Sequence, residues 1–519
     1  MTDPFGSDQP PVVGSLDSDH IDCDIAIIGS GMGGATAAFA LRDTGRRVLV
    51  IERGDFLPRE EQNWSAAAVF AEKRYKNAEL WYDGRTGKPF LPGVHYWVGG
   101  NTKVYGACLP RFRVEDFGAI RHPDGISPAW PFEYSEIEPY YCQAEKIYGV
   151  HGNGEGDPTA PWRSADAPYP ELEHEPDLAA LADSLNAQGL HPFHMPMGVD
   201  LRPDGRCIRC QTCDGYPCRL GAKNDAETRA ITPALESPTV KLITRTLVKR
   251  IGTTPDGRTV TELEAVRDGR ELRIRAERFI LAAGAANSTA LLLRSGSARH
   301  PNGLANSSML VGTNYMVHAS TFFMAVDPRR TNHVEFQKTL GINDWYLGND
   351  REFPLGNVQM LGKLKAPMLK EARPWAPDLA LKYIANHSVD LYLTTEDVPK
   401  PENRVRLDRN GKIWVDWTSN NLSSHAELLK RVTRTMKRAG YPLILTERMG
   451  IETNSHMCGT AVMGEDPGRS VIDRDCRAHD VGNLWLLDSS GFPSSAGLNP
   501  ALTIAANALR VIDTGVIDG

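Results

Sequence analysis

The chain has 519 residues, 41% hydrophobic and 24% charged, enough for a large buried core and about two to four domains. A formal net charge of −7 leaves no basic face for the phosphates of nucleic acid, so small molecules are the expected partners. No stretch approaches the roughly eighteen apolar residues of a membrane span, and the first twenty residues carry Asp3, Asp8, Asp17 and Asp19 without Lys or Arg, unlike a signal peptide, so a cytoplasmic protein with mostly reduced thiols is expected.

Cys23 to Ile28 is an apolar run that reads as a buried strand and leads into Gly29-Ser30-Gly31-Met32-Gly33-Gly34. An alanine-rich helical stretch follows, and Arg47 to Glu52 reads as a second strand ending in an acid. This is the setting that a G-x-G-x-x-G turn needs to hold a dinucleotide. Gly29 allows the tight turn, Gly31 lets a pyrophosphate approach the backbone, and Gly34 lets helix and strand pack closely. Glu52, 18 residues beyond Gly34, stands where an acid accepts hydrogen bonds from ribose hydroxyls. The motif alone does not separate FAD from NAD.

Further along, Tyr96 to Gly106 contains a glycine turn, Gly99-Gly100-Asn101, suited to positive φ or close backbone approach. Trp130 to Tyr141 reads as the opening of a helix, with Ser135 as N-cap and Glu138 completing a capping box. Residues 152–158 form the clearest flexible loop, expected near the mouth of a site. Cys207, Cys210, Cys213 and Cys218 fall within twelve positions, which leaves three readings: structural thiols, an iron-sulfur cluster or a zinc site. The structural reading is the one favoured here, because other ligand pairs are lacking, so no metal site is assigned. Val240 to Val248, Phe279 to Ala285 and Leu484 to Asp488 are strand-like. Between about 314 and 450 the runs Ser320 to Val326 and Val389 to Leu393 predict a mainly antiparallel sheet flanked by helices.

The last seventy or so residues hold His456 in Ser455-His456-Met457-Cys458-Gly459-Thr460, then Leu486 to Pro493, then Asn499 in Leu498-Asn499-Pro500-Ala501-Leu502-Thr503. Taken singly, His456 reads as a satisfied core histidine and Asn499 as a turn residue before proline. Taken in this order, with Asn499 following His456 by 43 residues, the segment resembles the C-terminal block of the glucose-methanol-choline (GMC) oxidoreductases. Within that family the length, the Cys-rich segment and Val104 are most similar to bacterial pyranose oxidase and glycoside 3-oxidase-like flavoenzymes.

The resemblance implies an α/β protein: a Rossmann-like FAD-binding domain assembled from 20–113, 205–312 and 450–519, and an α+β substrate domain from 114–204 and 313–449. It implies FAD contacts at Gly99, Gly100 and Asn101, with Val248 near the adenine, Ala283 on a returning strand and Asp488 near the ribityl and pyrophosphate. Val104 stands where fungal pyranose oxidases carry a histidine bonded to the flavin, which implies non-covalent FAD. His456 becomes the base that takes the hydroxyl proton, since imidazole titrates near neutrality, and Asn499 becomes the amide that orients the alcohol beside the flavin. The implied reaction is oxidation of a secondary ring hydroxyl, at C2 or C3, of a pyranose or glycoside, with electrons passed to oxygen or a quinone-like acceptor. A hydrophobic or sterol-like alcohol as substrate, or a flavin subunit of an iron-sulfur sugar dehydrogenase with its cluster on the four clustered cysteines, is the alternative.

Overall fold

The computed structural model describes residues 19–349 and 351–516; the acidic segment of residues 1–18 lies outside the described residues. The elements that carry the site run in chain order as β1 (Ile25–Ile28), α1 (Met32–Leu41), β2 (Val48–Ile51), α2 (Tyr134–Ile147), β3 (Pro192–His194), β4 (Val240–Ile243), β5 (Thr246–Thr253), β6 (Arg278–Leu281), β7 (His318–Val326) and β8 (Leu340–Ile342). They continue as β9 (Asn357–Met360), β10 (Ser388–Glu396), α3 (Leu422–Arg438), β11 (Leu443–Arg448), β12 (Leu484–Leu486) and α4 (Ala501–Val511).

Five of these strands form a parallel sheet in the order β12-β6-β1-β2-β4. Every residue of β1 and β2 is buried, as continuous apolar runs are when both faces of a parallel sheet are covered. The alanines of α1 let it lie close to this sheet and to α4, with Ala35, Ala37 and Ala38 fully buried. The stretch from Val240 to Val248 is not one strand. At Arg245 the backbone turns to φ 54°, and β5 leaves for a separate sheet with residues 260–267 and 270–275.

The second large sheet is antiparallel throughout, in the order β11-β7-β10-β9-β8-β3, as the residues between 314 and 450 predict. Its period of two sorts the side chains. Phe323, Leu391, Leu393, Val358 and Met360 share a core cluster with Leu428, Val432 and Met436 of α3. Phe322, Tyr392 and Gln359 are direct register partners across β7, β10 and β9, and all three line a cavity on the other face. Beyond a turn closed by Asn403 N–H on the Lys400 carbonyl, Arg404–Leu407 is a strand paired with Ile413–Asp416.

Two local expectations fail. The helix α2 takes Glu133 as its N-cap, with no side-chain cap from Ser135. The capping box is lost because Glu138 is buried and accepts from Arg111 and from the Ser164 backbone N–H at 2.8 Å, and the helix packs on α4. The loop 152–158 lies away from the cavity lining and is anchored, because buried Asp157 pairs with Arg113 and accepts from Asn343 at 2.7 Å. Among the described residues no helix is long and apolar enough to cross a membrane.

Candidate active site

One cavity of about 770 Å³ runs from the C-terminal ends of the parallel strands to the face of the antiparallel sheet. At the parallel-sheet end the turn after β1 is forced to be glycine. Gly29 sits at φ 103°, and a Cβ there would meet the Ala282 carbonyl oxygen at 2.4 Å. A Cβ on Gly34 would meet the Gly29 carbonyl oxygen at 2.0 Å, which explains the third glycine of the motif. Gly31 is the N-cap of α1, and a Cβ there meets nothing within 4 Å. The first N–H groups of α1 have no acceptor within the helix, so this end of the cavity offers donors and the positive end of a helix dipole to an anion.

Glu52 caps the same region from β2. Its carboxylate accepts from the Ser30 hydroxyl at 2.6 Å and from the Gly54 N–H at 2.8 Å, and burial pushes its pKa up. Asp488 ties the end of β12 to the next helix by accepting from the Gly284 and Ser490 N–H groups at 2.9 and 2.8 Å. Asn101 pins the glycine turn, accepting from His95 N–H at 2.8 Å and donating to the Gly93 carbonyl at 3.0 Å.

At the other end stand His456 and Asn499. His456, half-buried in the loop after β11, places Nδ1 3.1 Å from Nδ1 of His318. Burial pushes its pKa down to about 3, so the ring is a neutral imidazole at ordinary pH. Asn499 precedes α4, and its Oδ1 accepts from Gln359 Nε2 at 2.8 Å, while Gln359 Oε1 accepts from the Cys108 thiol at 2.8 Å. With Oδ1 taken, the Nδ2 donors of Asn499 are left for the cavity. Phe322 and Tyr392 supply aromatic faces, and the Lys338–Asp214 ion pair, at 2.7 Å, supplies charge.

Asp214 gives the cysteine segment a place in the site, because it lies between Cys213 and Gly215. All four thiols are free, and among the described residues no group of three or more His, Cys, Asp or Glu side chains is placed to hold a metal ion. The segment is held instead by buried Lys223, which donates to the carbonyls of Cys213 and Tyr216 at 2.8 and 2.7 Å, and burial pushes the Cys213 thiol up to about 12.

Of the residues singled out from the sequence, Gly29, Gly31, Glu52, Gly100, Asn101, Val248, Ala283, Asp488, His456 and Asn499 all line this one cavity. Gly34 and Gly99 do not; they stand behind it, Gly99 with its absent Cβ 2.9 Å from the Lys103 side chain. Sequence reasoning missed Gly33, whose Cβ would overlap the Leu487 carbonyl oxygen at 1.6 Å, along with His318, Gln359, Lys338 and Asp214. A third glycine at position 33 was the one local signal; the others carry none.

Known proteins resemble this chain over most of its length. The GMC oxidoreductase family models match residues 176–320 and 399–508, and an NAD(P)-binding Rossmann-like domain matches residues 27–57. Paromamine 6'-oxidase of Streptomyces fradiae is 31% identical over 515 residues, covering 94% of this chain and 90% of the relative. The 6'''-hydroxyparomomycin C oxidase of Streptomyces lividus is 30% identical with the same coverage, and the fructose dehydrogenase large subunit of Gluconobacter japonicus is 26% identical over 96% of this chain and 98% of its own. The crystal structure of pyridoxine 4-oxidase from Mesorbium loti superposes with a TM-score of 0.68 at 19% identity, covering 95% of this chain and 99% of the other. With its Rossmann-like sheet, its antiparallel second sheet and these relatives, the chain belongs to the GMC oxidoreductase family, and is thereby a flavin-dependent oxidoreductase acting on CH–OH groups.

Proposed function

We propose that this protein oxidises a hydroxyl group of a sugar or glycoside, using non-covalently held FAD and passing electrons to oxygen or a quinone-like acceptor. The observation that carries the reading is the pairing of a neutral imidazole, His456, with an amide, Asn499, whose oxygen is already bonded, both on one cavity. FAD fits the residues present. The unpartnered first turn of α1 and the open space at Gly31 are a donor-bearing, shaped end for it, and His95, whose buried Nδ1 has no hydrogen-bond partner, lines the same cavity. Val104 lines the cavity and has no atom that could attach to a flavin, which supports non-covalent binding. The segments 20–113, 205–312 and 450–519 are proposed as the flavin-holding unit.

When bound, the flavin supplies the two-electron acceptor for the carbon-bound hydrogen. The protein's own part is to take the hydroxyl proton and to fix the alcohol. His456 accepts that proton at the ring nitrogen not bonded to His318, and Asn499 donates from Nδ2 to the alcohol oxygen, holding the C–H bond in one orientation. Phe322 and Tyr392 offer flat apolar faces to the C–H side of a sugar ring, and Lys338 and Asp214 offer polar atoms to its hydroxyls. A glycoside as substrate class is supported by the relatives named paromamine 6'-oxidase and 6'''-hydroxyparomomycin C oxidase; a secondary ring hydroxyl at C2 or C3 is the finer reading, and the 6' and 6''' positions in those names do not support it.

The test is anaerobic addition of a panel of sugars, glycosides and sterols to the yellow protein, with the position of the new carbonyl read by NMR. Bleaching by a sugar or glycoside is expected, and His456→Ala should slow it by roughly 10²-fold or more, the scale of general-base catalysis. Bleaching by sterols alone would replace the substrate class. Unchanged bleaching in His456→Ala would remove the proposed base.

A further inference from the structure

His318 opens β7 and is 1% exposed, so it touches neither the cavity nor solvent. Its Nε2 lies 3.3 Å from the Ser495 carbonyl oxygen. A carbonyl only accepts, so Nε2 carries the hydrogen, and a neutral imidazole has a single N–H, which leaves a lone pair on Nδ1. That lone pair faces Nδ1 of His456 at 3.1 Å, so the hydrogen between the rings belongs to His456. The second nitrogen of His456, Nε2, then carries a lone pair and no hydrogen bond from the described residues.

We infer that His318 is a positioning residue that locks His456 in the Nδ1–H tautomer, so that Nε2 is always the bare nitrogen offered to the alcohol proton. This rests on the reading of His456 as the base. The direction of the chain is set by a backbone carbonyl, which cannot reverse its role. When Nε2 of His456 takes a proton, the Nδ1–H bond to His318 becomes charge-assisted and strengthens, so His318 stabilises the protonated base at the moment it forms. The other titratable groups facing the pair are Glu396, the register partner of His318 on β10, with His122 at 3.1 Å from it, and Asp397, which accepts from the Val317 N–H; Tyr392 packs on His456 but bonds to Ser320. None of these is hydrogen-bonded to either imidazole.

Two polar variants separate positioning from packing. In His318→Asn the side-chain oxygen stands where Nδ1 stands and accepts from His456. In His318→Gln the amide reaches the Ser495 carbonyl but leaves no acceptor at the Nδ1 position. Anaerobic flavin reduction by a substrate that bleaches the wild type is expected to stay within about tenfold of wild type in the Asn variant and to fall by roughly 10²-fold in the Gln variant. Substrate affinity and flavin content should be unchanged in both. Equal rates, or a faster Gln variant, would overturn the assignment. If both variants fail to hold flavin, nitrogen-15 spectra of histidine-labelled wild type decide, because an Nε2 of His456 found protonated at neutral pH refutes the lock and a bare one supports it. His456→Ala keeps the two claims apart. If it abolishes reduction while the Asn and Gln variants match, only the role of His318 falls; if it reduces normally, the base falls first.

Discussion

A buried imidazole holds a proton poorly, and this governs the pH behaviour expected of His456. Its pKa is pushed from 6.5 down to about 3, chiefly by burial, so the neutral form that can accept a proton persists far into acid. The limiting rate of flavin reduction should therefore stay flat from about pH 8 down to about pH 5, with no histidine limb near neutrality. A rate that halves near pH 6.5 in the substrate complex would mean that the ring is solvated and the burial argument wrong. The same depression makes His456 a linkage group. The unfolded chain binds a proton at this histidine below about pH 6.5 while the folded one does not, so its contribution to stability is present above that pH and is lost as pH falls towards 3. At this scale the sequence exposes His456 and Asn499 through the local patterns around them. It hides His318, 138 residues away, because nothing local to Met316-Val317-His318 says which loop will meet it.

Among elements, the turn from β1 into α1 is the most constrained, and its glycines are not equivalent. A Cβ at Gly33 would lie 1.6 Å from the Leu487 carbonyl oxygen at the end of β12, and backbone cannot yield by that much. A Cβ at Gly31, where φ is an ordinary −69°, meets nothing and projects into open space. Gly33→Ala is expected to cost more than about 3 kcal/mol and to give insoluble or flavin-free protein. Gly31→Ala should fold with a near-native melting curve yet bind FAD at least about tenfold more weakly, because the methyl group occupies the approach to the helix N-terminus. Circular dichroism melts and flavin titration of the two variants check this; a Gly31 variant that binds FAD normally would move the phosphate site elsewhere. The antiparallel strands show the opposite limit of legibility. Ser320 to Val326 reads as a strand, but it is apolar on both faces, one against α3 and one on the cavity, so periodicity cannot say that Phe322 faces the site and Phe323 the core.

In the whole molecule the cavity lies between the two large sheets, lined from one side by Gly29 to Gly33 and from the other by Phe322, Gln359 and Tyr392. A ligand filling it binds the folded protein alone, so free FAD should raise the melting temperature in a concentration-dependent way. At one hundred times its dissociation constant the gain is about 2.7 kcal/mol, which corresponds to a rise of a few degrees. Melts of flavin-stripped protein across a range of FAD concentrations measure this, and a melting temperature indifferent to FAD would deny that the cavity is the flavin site.

The sequence by itself determined the dinucleotide turn, the strands that flank it and the antiparallel character of the second sheet, and it singled out His456 and Asn499 as candidates. Each of these is written in neighbouring residues, as glycine spacing, apolar periodicity or a contiguous family motif. Only the tertiary structure decided that the cysteine segment is fastened by Lys223 and delivers Asp214 to the cavity, that Glu138 abandons a helix cap for Arg111, and that Gln359 and His318 are hydrogen-bonded to the two residues proposed for the chemistry. Those are pairings between side chains and backbone groups far apart in the chain. A hydrogen bond fixes which atom donates and which accepts only once both partners have been brought within about 3 Å, and that is the work of the packed fold.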